Sequence, residues 1–169
     1  MTNTKTKKLV IASLFVAIAV VGSMFSFPVF GSRCSPVQHL INVLSAVLLG
    51  PWYGVVMAFV TSVLRNLLGL GTLLAFPGSM CGALLAGLLY KFRSNIYVAC
   101  GGELFGTSVI GGMIAYPVAA FILGNDAAAL FTFVVPFFVS SAGGTIIAAV
   151  ILVALKSRGV LRKFSADVQ

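Results

Sequence analysis

The chain has 169 residues, 60% of them hydrophobic and only 8% charged, and its eleven Lys and Arg against three Asp and Glu leave a formal net charge of +8. Apolar stretches of this length exclude a soluble domain and indicate an integral membrane protein, one transmembrane domain over residues 1–169 with room for about six spans of roughly 20 residues. The basic residues collect at the ends of the apolar runs, the pattern of membrane topology rather than of nucleic-acid binding, so no nucleic-acid partner is expected.

Lys5, Lys7 and Lys8 lead into the first apolar run, at about 8–27. A basic start before an oily run has the look of a signal peptide, but no convincing A-x-A cleavage site follows, so a retained first helix is expected. Ala12, Ser13, Ala17 and Ala19 give that helix a smooth strip on which another protein can dock. A loop around Gly31 to Pro36 then carries Arg33 and Cys34. The second segment, 37–50, is short for a span at about 14 residues, which suits a tilted helix or one that begins inside an ordered outer loop. If it is helical, Gln38, His39 and Asn42 share one face, because positions three and four apart are neighbours. Such a face suits a small polar heterocycle; the alternative is that these side chains cap the helix and satisfy the loop backbone.

The third segment, 52–68, closes on Arg65-Asn66, where the Arg either snorkels to the headgroups or lines a pocket and donates to a ring nitrogen, a hydroxyl or a phosphate. The fourth, 72–90, has Thr72, Pro77, Gly78 and Ser79 near its start, and an interrupted membrane helix points towards a binding site. Lys91 and Arg93 follow it. The fifth, 97–123, holds Glu103, Tyr116 and Pro117. An intramembrane carboxylate is costly enough to be a functional candidate, whether protonated, paired with an Arg or hydrogen-bonded to Thr107 one turn on. The sixth, 128–155, holds Pro136, Ser140 and Ser141 and runs into Lys156, Arg158, Arg162 and Lys163. Small residues four apart, such as Gly78 and Gly82, Gly102 and Gly106, or Gly144 and Ala148, are expected to seat helices against one another.

Six spans place both termini on one side, and all three basic clusters then share that face, which the positive-inside rule makes cytoplasmic. Five spans would divide the terminal clusters. Arg33, Gln38, His39, Asn42, Arg65, Asn66, Thr72 and Ser79 fall in the outer half, with Tyr116 and Ser140 deep enough to face the same cavity. Glu103 falls towards the inner half, apart from that group. The expected substrate-binding set is Gln38, His39, Asn42, Arg65, Asn66, Ser79, Glu103, Tyr116 and Ser140. A lone His and three cysteines without metal spacing, Cys34, Cys81 and Cys100, argue against a metal site and mark the cysteines as small apolar fillers. With no nucleophile–base arrangement, carboxylate pair, P-loop or H-E-x-x-H, neither an enzyme nor a cofactor is expected, and ATP-driven transport needs an ATPase partner.

Four strings carry a family resemblance: Arg33-Cys34-Ser35-Pro36-Val37-Gln38-His39-Leu40-Ile41-Asn42, Leu49-Gly50-Pro51-Trp52, Arg65-Asn66 with Gly71-Thr72-Leu73-Leu74-Ala75-Phe76-Pro77-Gly78-Ser79, and Gly102-Glu103 with Gly106-Thr107. On these the chain resembles, over nearly its whole length, the substrate-binding S components of energy-coupling factor (ECF) vitamin transporters, specifically the ThiW family. The resemblance implies an all-α protein of six transmembrane helices with an outward pocket closed by the first outer loop. It implies hydroxyethylthiazole, the thiazole precursor of thiamin, as ligand, and a partner module of one transmembrane T subunit and two ATPases in a bacterial plasma membrane. The small-residue A-x-x-x-A strip that contacts the T subunit in that superfamily is matched by Ser13-Leu14-Phe15-Val16-Ala17, with Ser for the first Ala. The implied cycle is capture outside, toppling of the S component within the membrane, and release inside. Two alternatives stay open: an S component for hydroxymethylpyrimidine, thiamin or another vitamin precursor, and a self-contained secondary transporter with its own coupling-ion site.

Overall fold

The computed structural model describes residues 4–29, 32–162 and 164; Gly31 of the first loop and Lys163 of the last basic cluster lie outside the described residues. Helix α1 spans Thr4–Gly22 and ends in one 3-10 turn, Ser23–Phe25. A small hairpin follows, β1 (Phe27–Val29) antiparallel to β2 (Ser32–Cys34), with Phe27 opposite Cys34 and Val29 opposite Ser32. The remaining helices are α2 (Pro36–Leu48), α3 (Pro51–Leu67), α4 (Ala75–Arg93), α5 (Ile96–Phe105), α6 (Gly112–Pro117) and α7 (Val134–Ser157). Wider π-type turns at Gly106–Gly111 and Val118–Ile122 join and extend α5 and α6, so Ile96–Ile122 is one helical rod of 27 residues. The second wide turn follows Pro117, which has no N–H to close an ordinary turn.

Four helical runs, Thr4–Phe25, Ala75–Arg93, Ile96–Ile122 and Val134–Ser157, are long and apolar enough to cross a bilayer, as in a multi-pass helical membrane protein. Helix α3, with 17 residues, stands at the short end of the spanning range. Helix α2, with 13, reaches only about 20 Å. It is the hub of the bundle, packed against α1, α3, α4, α5 and α7. Ile41, Val43, Leu44 and Ala46 are buried along it, and a helix covered on most sides forms core rather than surface.

Turn chemistry fixes how these helices join. Pro36 and Pro51 open α2 and α3 at positions where a missing N–H forfeits nothing. Gly50, at φ 93°, makes the tight passage from α2 to α3 that a side chain would strain. Helix α3 ends in a Schellman motif at Gly69: the Leu70 N–H donates to Arg65 O at 2.8 Å and the Gly69 N–H to Asn66 O at 3.1 Å. Asn95 caps α5, its side-chain oxygen accepting the Tyr97 N–H at 2.9 Å.

Small residues set the helix spacing, as their four-residue recurrence suggests. A Cβ added at Gly106 would stand 2.7 Å from Cys81 O and one at Gly111 2.5 Å from Gly78 Cα, so α4 and the long rod meet backbone to backbone. On α1 the smooth strip divides between two faces. Ala12 and Ala19, seven residues apart, are buried, whereas Ser13 and Ala17, four apart, are exposed. The Ser13 hydroxyl donates to Leu9 O at 2.9 Å, which satisfies it on an otherwise apolar face.

Basic residues gather at one end of the bundle. Lys8, Lys91, Trp52 and Tyr90 line one cleft there, Arg93 and Lys156 a neighbouring one, and the Lys8 ammonium sits 6.0 Å from the Tyr53 ring centre. Helix α3 starts at this end with Pro51 and carries Arg65 to the other, roughly 20 Å away.

Candidate functional site

Glu103 is fully buried where α2, α4 and α5 meet, and its Oε1 collects three contacts: His39 Nδ1 at 2.8 Å, Asn42 Nδ2 at 3.0 Å and Thr107 Oγ1 at 3.0 Å. A carboxylate acceptor assigns the imidazole proton to Nδ1, so Nε2 is the ring nitrogen left for another partner. Asn42 also donates to Ser79 O at 3.1 Å, tying α2 to α4. The expected depth of Glu103, apart from His39 and Asn42, is therefore corrected. From the basic end Glu103 lies about 10 Å along α5 and His39 about 14 Å along the short α2, so the two meet near mid-depth.

Against this centre lies a cavity of about 310 Å³, mouth included, lined among others by Gln38, His39, Thr107, Ser79 and Ser140 and, towards the end away from the basic clefts, by Arg33, Ser35 and Arg65. Room for water within it is about 30 Å³, enough for one or two molecules, so a ring-sized ligand must displace side chains or the hairpin on entry. Phe137 supplies an apolar wall. Along one side a polar chain crosses three helices: Gln38 Nε2 donates to Ser62 Oγ at 3.3 Å, Ser62 Oγ lies 3.2 Å from Ser79 Oγ, and the Ser79 hydroxyl donates to Ala75 O at 2.7 Å.

The hairpin is pinned over the site. Cys34 Sγ donates to Pro136 O at 3.2 Å and the Ser35 N–H to Ser140 Oγ at 2.8 Å. Burial pushes the Cys34 thiol above its ordinary pKa, with hydrogen bonds from Ser140 offsetting part of the rise, so it stays a thiol. Arg33 Nη1 donates to Gly69 O at 3.0 Å, joining the hairpin to the α3–α4 connection.

Of the expected site residues, Gln38, His39, Arg65, Ser79 and Ser140 come together around the cavity, while Asn42 and Glu103 lie behind His39 and outside the lining. Asn66 is turned to the backbone, its amide donating to Ser62 O at 2.8 Å and Thr72 O at 3.2 Å, where it holds the α3–α4 connection. Tyr116 sits half-buried on α6 and is not part of the lining. Sequence reasoning left out Ser35, Thr107 and Phe137 as cavity residues. The signal for Ser35 was its place just before Pro36, at the start of α2. No group of three His, Cys, Asp or Glu able to hold a metal occurs among the described residues.

Residues 9–158 match the family model described as thiamine-precursor transporter protein, ThiW. The chain belongs to the ThiW family. Every residue of the cavity and of the Glu103 centre lies inside the matched segment, whereas Lys5, Lys7, Lys8 and Arg162 lie outside it. ThiW membership puts the chain among transporters of thiamine precursors, in keeping with its apolar helices. No curated protein and no solved structure matches it.

Proposed function

We propose that this ThiW protein is the S component of an ECF transporter, capturing hydroxyethylthiazole outside a bacterial cell for uptake driven by a T subunit and two ATPases. The observation that supports this most is the position of His39. Anchored through Nδ1 on Glu103, it leaves Nε2 for the ligand in a cavity that also offers Gln38, Ser79, Ser140 and the ring of Phe137. Few polar groups against an apolar wall suit a small aromatic heterocycle bearing a hydroxyl. In this reading six helices span the membrane as one domain, α2 is a short inner span roofed by the hairpin, and the basic end with both termini faces the cytoplasm. Ser13 and Ala17, exposed on α1, form the surface for the T subunit.

Two measurements test this. His39→Asn keeps an amide donor at the position of Nδ1, towards Glu103, while removing Nε2. It is expected to weaken hydroxyethylthiazole binding at least about 10-fold by calorimetry in detergent, with little change in melting temperature. Unchanged affinity would remove His39 from the ligand site. Ala17→Trp puts a bulky ring on the exposed strip and is expected to abolish co-purification of the T and ATPase subunits while leaving ligand binding intact. A complex of normal yield would rule out the strip, and uptake by the purified chain alone in vesicles would favour a self-contained transporter.

A further inference from the structure

The two ends of the cavity differ in chemistry. The inner end has His39 and hydroxyls. The outer end has Arg65, Arg33 and Ser35 and no acidic side chain in its lining. Arg65 is 3% exposed, yet its guanidinium makes one long bond, Nη2 to Leu70 O at 3.4 Å, and its Nε has no partner. Among the described residues no carboxylate lies within salt-bridge distance of it. Glu103 is engaged with His39, Asn42 and Thr107, and Asp126 sits in the exposed connection before α7. A buried cation without a counter-charge is expensive, and expelling the charge is not an option for a guanidinium.

Ser35 adds an independent observation. It occupies the N-cap position of α2, where a serine hydroxyl ordinarily accepts a first-turn N–H, but it makes no such bond. Its Oγ is instead buried without a partner, in the lining of the same cavity. The start of the 13-residue α2 therefore presents its positive dipole end and a free hydroxyl beside Arg65, with Arg33 held nearby through Gly69 O.

We propose that the outer end of the cavity is an anion-binding position, in which Arg65, supported by Arg33, Ser35 Oγ and the N-terminus of α2, takes a phosphate or carboxylate on the tail of the bound heterocycle. For the ring at His39 this rests on the function proposed above; for the anion it rests on Arg65 and Ser35. The planar guanidinium fork matches two oxygens of either anion, and a ligand of this kind neutralises the charge that the protein leaves unpaired. A thiazole with an anionic tail, rather than the neutral alcohol, is then the better ligand.

The test measures affinity in detergent for hydroxyethylthiazole, its phosphate ester, a thiazole carboxylate of similar length, and inorganic phosphate alone. Wild type is compared with Arg65→Gln, Arg65→Lys, and the milder Ser35→Ala and Arg33→Gln, which keep the proposal testable if Arg65→Gln does not fold. The expected result is that one anionic thiazole binds at least about 10-fold tighter than the alcohol. That advantage should vanish in Arg65→Gln, shrink in Ser35→Ala and Arg33→Gln, and return in part with Lys. Which anionic ligand shows the advantage distinguishes phosphate from carboxylate. An alcohol that binds as tightly as both anions, or an advantage untouched by all four variants, overturns the proposal. If no thiazole binds but inorganic phosphate protects wild type and not the variants, the thiazole reading falls and the anion position stands. If nothing binds, both fall.

Discussion

Glu103→Ala is expected to be among the most damaging single substitutions in the chain, lowering the apparent melting temperature in detergent by on the order of 10 °C and taking thiazole binding below detection. The removed oxygen is the acceptor for His39 Nδ1, Asn42 Nδ2 and Thr107 Oγ1. Asn42 keeps Ser79 O as a second acceptor, while the other two have no further bond. Each buried polar group left without a partner costs about 1–3 kcal/mol, and the truncated side chain adds a void. Breaking a buried pair of this kind typically costs roughly 3–5 kcal/mol in all.

The contrast with Glu103→Gln separates the roles of the two oxygens. Gln keeps the volume and one acceptor for all three contacts, and its NH2 falls where Oε2 was. In the native protein Oε2 has no partner and faces Gly82, where an added Cβ would stand 2.6 Å from it. The new donor therefore finds nothing to bond, and a cost of about 1–3 kcal/mol follows, smaller than that of Ala. A melting temperature for Glu103→Ala no lower than for Glu103→Gln would show that the Oε1 contacts do not hold α2, α4 and α5 together.

The helices were legible because each apolar run ends at Gly, Pro or charge, and the segments at 37–50 and 52–68 correspond closely to α2 and α3. The hairpin was not. Phe27-Pro28-Val29 reads as the tail of an apolar run, and its pairing depends on β2 being fixed to α7 through Cys34 and Ser35, residues distant in sequence. Sorting polar residues by depth assumed that every helix starts at the same membrane plane. Helix α2 breaks that assumption, since a helix of about 20 Å buried in the bundle carries His39 to the level of Glu103. The amides were ambiguous for another reason: from sequence Asn42 and Asn66 suit a ligand and a backbone carbonyl equally, and only the fold supplies Ser79 O, Ser62 O and Thr72 O as their partners. Arg65 reads from sequence equally as a snorkelling cation or a pocket donor, and its want of a counter-ion appears only once the chain is folded around it.

Neighbouring glycines on α7 are expected to respond in opposite ways. Gly144→Ala should lower stability by about 1–3 kcal/mol and weaken ligand binding with it, whereas Gly143→Ala should be neutral or slightly stabilising. At Gly144 the new methyl would collide with Pro36 O and lie 2.7 Å from Leu40 N and 2.8 Å from His39 Cβ. Two of these atoms are backbone and the third is the root of a side chain, so none can swing aside. The first turn of α2 must move off α7, and His39 moves with it, away from Glu103 Oε1. At Gly143 the nearest atom is Pro36 Cβ at 3.5 Å, an ordinary contact, and replacing a mid-helix glycine gains up to about 1 kcal/mol in helix propensity. Melting temperatures and thiazole affinities of the two variants, measured side by side, decide the matter. Equal behaviour would mean that α2 is not seated on α7 at Gly144, and that His39 is placed by its bond to Glu103 alone.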